Sequence, residues 1–389
     1  MDLQFDREEV DFRESAREWL TAHVPAERRP EDGKAMRDFD NAWQRTQYDG
    51  GWAGVSWPRE YGGLGLSVVK QLIWYEEYAR AQAPYTGTTF PALFYGGPTL
   101  ALRGTDAQRT EHLPKILRGE EIWSQGFSEP SGGSDLASVR TRAVIDGDHL
   151  VVNGQKVWSS YADVADYHFC LFRTDPEAPK RQGLSWVLVP LGTPGIEVRR
   201  IKTLARNHHF CEVFYDDVRV PLANVVGGLG NGWTVAMNTL GFERGSAFLT
   251  EQLELSHAVD ELIELCRRRD SPSGSGRAID DESIAVELAD LRASVAALRA
   301  MSYRSVSKSV RGGVPGPEGS IIRLYFAELR QQVAALAMKV LAADGLEFQP
   351  YWEDGWSGLW LWDFARTVGA GTSEIQRNII GDRVLGLPR

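Results

Sequence analysis

Cysteine is scarce in this 389-residue chain: Cys170, Cys211 and Cys266 are odd in number and far apart. No CxxC pairing links them, which argues against a disulfide framework or a zinc site and makes a reducing cytoplasm the expected compartment. Long apolar runs are also absent, and none approaches the length of a membrane span. The N-terminus, MDLQFDREEVDFRESAREWL, lacks the basic-then-apolar pattern of a targeting signal. Positive charge is in deficit, with 43 Lys and Arg against 53 Asp and Glu and a net charge of −10. Nucleic acids and anionic membranes both call for a basic surface, so neither is expected as a partner. An anionic ligand would need a locally basic site or backbone amides. Low-complexity tracts and internal repeats are missing as well.

What remains is an ordinary globular composition, 43% hydrophobic and 25% charged, on a chain long enough for two or three structural units. Near the N-terminus Phe5, Phe12, Ala16, Trp19 and Leu20 fall on or near one helical face. Residues 1–120 read as helical, with the helix period clear over 68–82 and Gly/Pro clusters at 57–65 and 96–98. The loop PREYGGLGLS lacks GxGxxG spacing and a preceding strand, so it reads as a turn rather than a phosphate loop. Over 121–228 the period changes. TRAVIDGDHLVVNGQKVWSS is a hairpin signal, and YHFCLFRT, GLSWVLVPL, GIEVRRIK and CEVFYDDVRV follow at strand length. Five or six strands with no crossover helices predict an antiparallel sheet or barrel and exclude a Rossmann unit. Over 229–389 the helix period returns in Ala-, Leu- and Arg-rich stretches suited to a bundle. The segment 233–266 reads as one long helix or two abutting ones. The fold class is therefore α+β and multidomain, with an N-terminal helical domain, a middle β-barrel or antiparallel β domain and a C-terminal helical bundle.

Two segments carry candidate chemistry. FSEPSGGSDLASV (127–139) is rich in hydroxyls and glycines and can present Ser side chains and N–H groups to a polar ligand; alone, the same pattern describes simple turns. NGQKVWSSYADVADYHF (153–169) places Trp158 and Ser160 on one side of a strand, where a ring could stack a flat ligand and a hydroxyl bond its edge. Alone, it also describes a core Trp beside a surface Ser.

Together, in this order and spacing, the two segments resemble the TEPxxGSD and NGxKxWIT motifs of the acyl-CoA dehydrogenase family. The C-terminal GTSEIQRNIIGDRVLGLPR is a third match, and EVFYDDVRVP resembles the family's strand leading out of the β domain. The resemblance implies helical, β and four-helix-bundle domains with FAD at their junction. It implies that the stretch from Gln125 and Gly126 through Phe127, Ser128 and Gly133 to Ser134 lines the flavin, with Ser134 also touching the acyl-CoA. Trp158 would pack against the isoalloxazine beside Ser159, and Ser160 stands where relatives use a Thr near flavin N5. Thr372, Ser373 and Glu374 would contact the cofactor near the thioester end. Ser in place of Thr at 128 and 160 keeps the hydroxyls available.

The resemblance also implies a reaction: removal of an α-proton from an acyl-CoA, coupled to transfer of a β-hydride to flavin. Many relatives place the proton-abstracting glutamate where this chain has Ala370. Its backbone N–H, which in relatives polarises the thioester oxygen, survives the replacement, and the neighbouring Gly371 joins it in the expected substrate site. For the base, Glu243 falls on the apolar stripe of Trp233, Ala236, Leu240 and Ala247. A carboxylate on such a stripe is costly unless paired or used, and periodicity alone leaves both readings open. Isovaleryl-CoA dehydrogenase and long-chain members carry their glutamate on this helix in a Leu-Glu-Arg context with a small residue at the C-terminal position. Phe242-Glu243-Arg244 and Ala370 match, implying Glu243 as base and Arg244 in substrate binding.

Two segments depart from the family. Its Arg-x-x-Phe-Gly motif, which contacts a neighbouring subunit's FAD, is replaced by DSPSGSGRAID, and Gln-x-x-Gly-Gly-x-Gly by KVLAADGLEF, which retains Gly345. Arg267, Arg268, Arg269 and Arg277 are candidate substitutes. The reading is an FAD-dependent acyl-CoA dehydrogenase forming a trans-2-enoyl-CoA, passing electrons to an electron-transfer flavoprotein, and working as a homodimer, homotetramer or heterotetramer with a related subunit. The alternatives are a non-catalytic subunit of a heteromeric dehydrogenase and a flavin-dependent monooxygenase on the same fold. The tryptophans 352, 356, 360 and 362 read as packing and interface residues rather than a pocket wall.

Overall fold

A computed structural model describes residues 5–85, 87–243, 249–274, 276–310 and 316–388, apart from the side chains of 243, 249–252, 309 and 310. Helix α1 (Arg7–His23) starts with reciprocal hydrogen bonds: Asp6 accepts from the Glu9 N–H (2.8 Å) and Glu9 from the Asp6 N–H (3.0 Å). Its Ala16 and Leu20 are buried against Trp43 of α2 (Gly33–Asp49) and Trp74 of α3 (Val68–Arg80). Arg13 and Arg17 of α1 lock onto Glu76 and Glu77 of α3 at 2.7–3.0 Å. PREYGGLGLS is a turn, as expected: Gly62 is left-handed, and a Cβ on Gly63 would lie 2.3 Å from the Trp57 side chain. A π-helical turn (Ala92–Gly96) leads into α4 (Gly97–Arg103), followed by α5 (Asp106–Leu117).

The middle sheet has eight strands: β1 (Trp123–Gly126), β2 (Arg142–Asp146), β3 (His149–Ser160), β4 (Tyr167–Arg173), β5 (Leu184–Pro190), β6 (Ile196–Ile201), β7 (Phe210–Pro221) and β8 (Val225–Val226). Their order is β6-β7-β3-β2-β4-β5-β8, with β1 on β4. The hairpin forms as read, with Asp146 opposite His149. The expected five or six strands omit β1 and β8, which are too short for alternation to show. The sheet is also not wholly antiparallel, because β1 and β2 pair β4 in parallel.

The segment 233–266 forms two helices, α6 (Gly232–Glu243) and α7 (Leu249–Arg268). Then come α8 (Glu282–Val310), α9 (Gly319–Leu341), α10 (Trp356–Asp363) and α11 (Ser373–Ile379). Helices α7, α8 and α9 bury Leu262, Leu291 and Phe326 in one core, with α10 and α11 against α9. A second core crosses the domains: Trp57 and Leu100, then Trp123, Phe169 and Trp186 of the sheet, then Val235 and Ala236 of α6. The junction of helical and β layers is therefore a packed unit, and the candidate site lies along it.

Candidate active site

Leaving β1, the chain makes a tight turn in which Glu129 and Gly132 exchange both main-chain hydrogen bonds (2.9 and 3.0 Å). The buried Glu129 carboxylate accepts from the N–H groups of Arg140 (2.6 Å) and Thr141 (2.8 Å) and from Lys156 Nζ (2.8 Å). Lys156, wholly buried on β3, also donates to the carbonyls of Phe127 (3.2 Å) and Leu171 (2.7 Å). Burial pushes the Glu129 carboxyl up, but the ammonium and the N–H donors outweigh it and hold it below the usual carboxylate range. The Val157 N–H closes the loop onto β3 through the Ser128 carbonyl (3.0 Å). Ser128 is half-buried, and Gly133 and Ser134 are exposed at the rim. A Cβ on Gly133 would meet only Ser128 Oγ, at 4.0 Å, so the space above it is open. Phe127 turns inward, edge-on to Phe169. Gly126 is buried too, where a Cβ would clash with Cys170 and His168 at 2.5–2.6 Å. Gln125 has a buried Nε2 without a hydrogen-bond partner.

Trp158 stands on a β-bulge, where the β3–β7 register shifts between Lys156 and Ser159. Its φ is +62°, rare for an aromatic residue, and its side chain is 57% exposed between the buried Val157 and Ser159. Phe210 holds the indole edge-on (centroids 5.9 Å apart, 89°). Ser160 shares this outward face, half-buried. Ser159 does not: its Oγ points inside, 3.0 Å from His168 Nε2, while His168 Nδ1 meets the Tyr215 hydroxyl at 2.5 Å. Burial pushes the His168 imidazole down to about 3, so it is neutral at physiological pH. Ring contacts continue from Phe210 to Trp362 (6.0 Å, 20°) and from Trp362 to Tyr351 (5.3 Å, 17°), tying α10 to the sheet. Trp362 is thus a packing residue, as read.

Past α10 the chain makes a left-handed turn at Ala370 (φ +56°) and Gly371 (φ +89°). A Cβ on Gly371 would lie 2.8 Å from Gln376 Nε2. That buried amide donates to the carbonyls of Ala370 (3.0 Å) and Gly371 (3.3 Å). Thr372 caps α11 by accepting from the Ile375 N–H (3.2 Å). Ser373 is buried with an Oγ that has no partner, and Glu374 is exposed. Thr372, Ser373 and Glu374 line an open cleft of about 700 Å³ with Gln331, Thr367 and Arg377.

Helix α6 buries Gly232, Val235, Ala236 and Thr239 and ends at Glu243. The helix is fixed to α4 by Thr99 Oγ1 bonding Thr239 Oγ1 (3.0 Å) and Arg103 Nε donating to Asn238 (2.8 Å). The side chain of Glu243, with all of Arg244 and Ala247, lies outside the described residues. Of the candidate substitutes for the missing Arg-x-x-Phe-Gly segment, Arg277 pairs with Asp270 (2.7 Å), Arg267 with Glu264 and Arg269 with the distant Asp344 (2.5 Å), while Arg268 Nε donates to the Glu264 carbonyl (3.2 Å).

Comparison with known proteins identifies the class. Family models match three consecutive parts of the chain: acyl-CoA dehydrogenase N-terminal domain at 6–120, middle domain at 124–218 and C-terminal domain at 230–385. The chain belongs to the acyl-CoA dehydrogenase family and is an FAD-dependent oxidoreductase. Among its relatives, the acyl-CoA dehydrogenase IpdE1 of Mycobacterium tuberculosis is 39% identical over 387 residues, covering 97% of this chain and 98% of that one. The solved "Tcur3481-Tcur3483 steroid ACAD" superposes with a TM-score of 0.86 at 28% identity, and the ChsE4-ChsE5 complex from M. tuberculosis with 0.84 at 32%, each covering all of both chains.

The residues present fit FAD. The exposed indole, the unpartnered Gln125 Nε2 and Ser373 Oγ, and the open space over Gly133 are surfaces the chain itself leaves unmatched. Sequence reasoning missed Lys156, Glu129, Arg323 and Gln376, the buried groups that hold these surfaces in place. Lys156 and Glu129 lie inside the quoted motifs, so the signal was a charge at an inward-facing strand position. Gln376 also lies inside a quoted motif, but its role needs the folded turn, and Arg323 gave no signal at all.

Proposed function

We propose that this protein removes the α-proton and β-hydride of a bulky acyl-CoA thioester to give the trans-2-enoyl-CoA, with Glu243 as the base. The observation that carries this reading is the Ala370 turn: its N–H donates to no protein group among the described residues, although its carbonyl is bonded. An unused amide on a half-buried turn suits a thioester oxygen that gains negative charge as the α-proton leaves. Alanine here leaves the carboxylate to Glu243, at the end of a helix that packs into the interdomain core. The α C–H bond breaks toward the Glu243 carboxylate, whose basicity rises when the acyl group excludes water. FAD, when bound, supplies the two-electron acceptor for the β-hydrogen. Ser128, Ser134, Trp158, Ser160 and Thr372 would hold it, and Gln125 and Ser373 offer their free polar atoms; Ser159 would contribute main chain alone. The description of one structural neighbour as a steroid ACAD supports a polycyclic acyl group here. Electrons would pass to an electron-transfer flavoprotein in the cytoplasm.

The test is anaerobic bleaching of the purified yellow protein by a panel of straight-chain, branched and steroid-side-chain acyl-CoAs. Bleaching by the bulky members supports the reading, and a flavin that none of the panel reduces would sink it. A heteromeric assembly with a related subunit is favoured by the two departed segments, DSPSGSGRAID and KVLAADGLEF, which in relatives reach a neighbouring subunit. A homo-oligomer that holds FAD without co-expressed relatives would exclude that assembly.

A further inference from the structure

We infer that Arg323, a buried residue of α9 remote from the sequence motifs, is the positioning residue for the Ala370 amide and strengthens it as a donor to the substrate oxygen. The inference rests on the dehydrogenase reading above. Arg323 is 7% exposed, and its Nη2 donates to the carbonyls of Arg366 (2.7 Å) and Gly369 (2.8 Å). The Gly369 carbonyl and the Ala370 N–H belong to one peptide unit. A trans peptide is planar, with C=O and N–H on opposite sides, so fixing one end fixes the direction of the other. Arg323 therefore aims the Ala370 N–H away from α9, toward the side where no protein group among the described residues accepts it.

Direction is half of the effect. Guanidinium stays charged at all accessible pH, and a charge-assisted bond to a carbonyl polarises the whole peptide, making its N–H a better donor. The second clamp works at the next peptide, where Gln376 Nε2 bonds the Ala370 carbonyl. Two buried side chains thus hold an alanine at φ +56°, a conformation that is strained for an L-residue. A turn held in this way suits a donor that must not rotate as charge develops on its acceptor.

The experiment uses the holoenzyme and acetoacetyl-CoA, whose acidic α-carbon lets it bind as an enolate with its own absorption. The pH dependence of that absorption gives the pKa of the bound ligand. Arg323→Gln should raise that pKa by about one unit, the roughly tenfold weakening expected when a donor to an oxyanion is loosened rather than removed. Affinity for CoA lacking an acyl group should not change. Arg323→Lys keeps the charge but cannot bridge both carbonyls equally, so it should give a smaller rise in the same direction; it carries the test if the Gln variant does not fold. A bound pKa unchanged in a folded variant overturns the inference and leaves the dehydrogenase reading standing. A wild-type protein that neither ionises acetoacetyl-CoA nor is bleached by any acyl-CoA overturns that reading and the inference with it.

Discussion

Lys156 Nζ and Glu129 Oε1 meet at 2.8 Å with the lysine wholly buried, and this pair joins the loop and the strand proposed above to hold the flavin. Lys156 lies two residues before the exposed Trp158 on β3, and Glu129 follows Ser128 in the loop. The same ammonium reaches the Phe127 carbonyl, so the loop and the bulged strand share one anchor.

Breaking the pair from one side should be costly. Lys156→Met or Glu129→Gln leaves a buried group uncompensated and should lower stability by about 3–5 kcal/mol in urea unfolding. The double variant should recover a large part of the loss, because the unpaired charge is gone.

Trp158 predicts the opposite separation. The residue is 57% exposed, with its ring edge-on to Phe210, so Trp158→Ala should change apoprotein stability by no more than about 0.5 kcal/mol. FAD affinity, measured by flavin fluorescence on titration, should fall on the order of tenfold with the loss of a ring-stacking surface.

His168 sets a pH dependence. Its unfolded value is 6.5 and burial lowers the folded value to about 3. As pH falls below 6.5 the unfolded chain takes up a proton that the folded chain refuses until about pH 3. Stability is therefore lost across that window, by up to about 1.4 kcal/mol per pH unit from this group. His168→Asn should flatten the slope of unfolding free energy against pH between 6.5 and 4.

Much of this architecture was legible in the sequence. Ala16 and Leu20 on α1, the β2–β3 hairpin and the helical C-terminal third declare themselves by period, because each buries one face and exposes the other. Strands β1 and β8 do not, at four and two residues. Trp158 and Ser160 were legible as a same-side pair. Nothing local, however, showed that a bulge with a left-handed backbone turns the indole to solvent. Ser159 sits between them in the motif, yet strand alternation sends its hydroxyl to His168. The clamp of Arg323 and Gln376 on the Ala370 turn depends on main-chain carbonyls brought together by three helices, and no residue pattern encodes that.

The turn itself is testable. Glycine at position 370 removes the left-handed penalty and keeps the N–H, so Ala370→Gly should raise thermal stability by the equivalent of about 0.5–1 kcal/mol. A β-branched residue should do the reverse: Ala370→Val should destabilise the protein by more than 1 kcal/mol. Differential scanning calorimetry of the two variants side by side would show the sign.

The division of labour between Glu243 and Ala370 is decided by rapid-mixing measurement of flavin reduction in Glu243→Gln, using the acyl-CoA that bleaches the wild-type protein fastest. With Glu243 as the base, the flavin spectrum and acyl-CoA affinity should be retained while the reduction rate falls about 10²–10⁴-fold, the usual contribution of a positioned general base. A Glu243→Gln protein that reduces its flavin at the wild-type rate would contradict the account and place the base elsewhere.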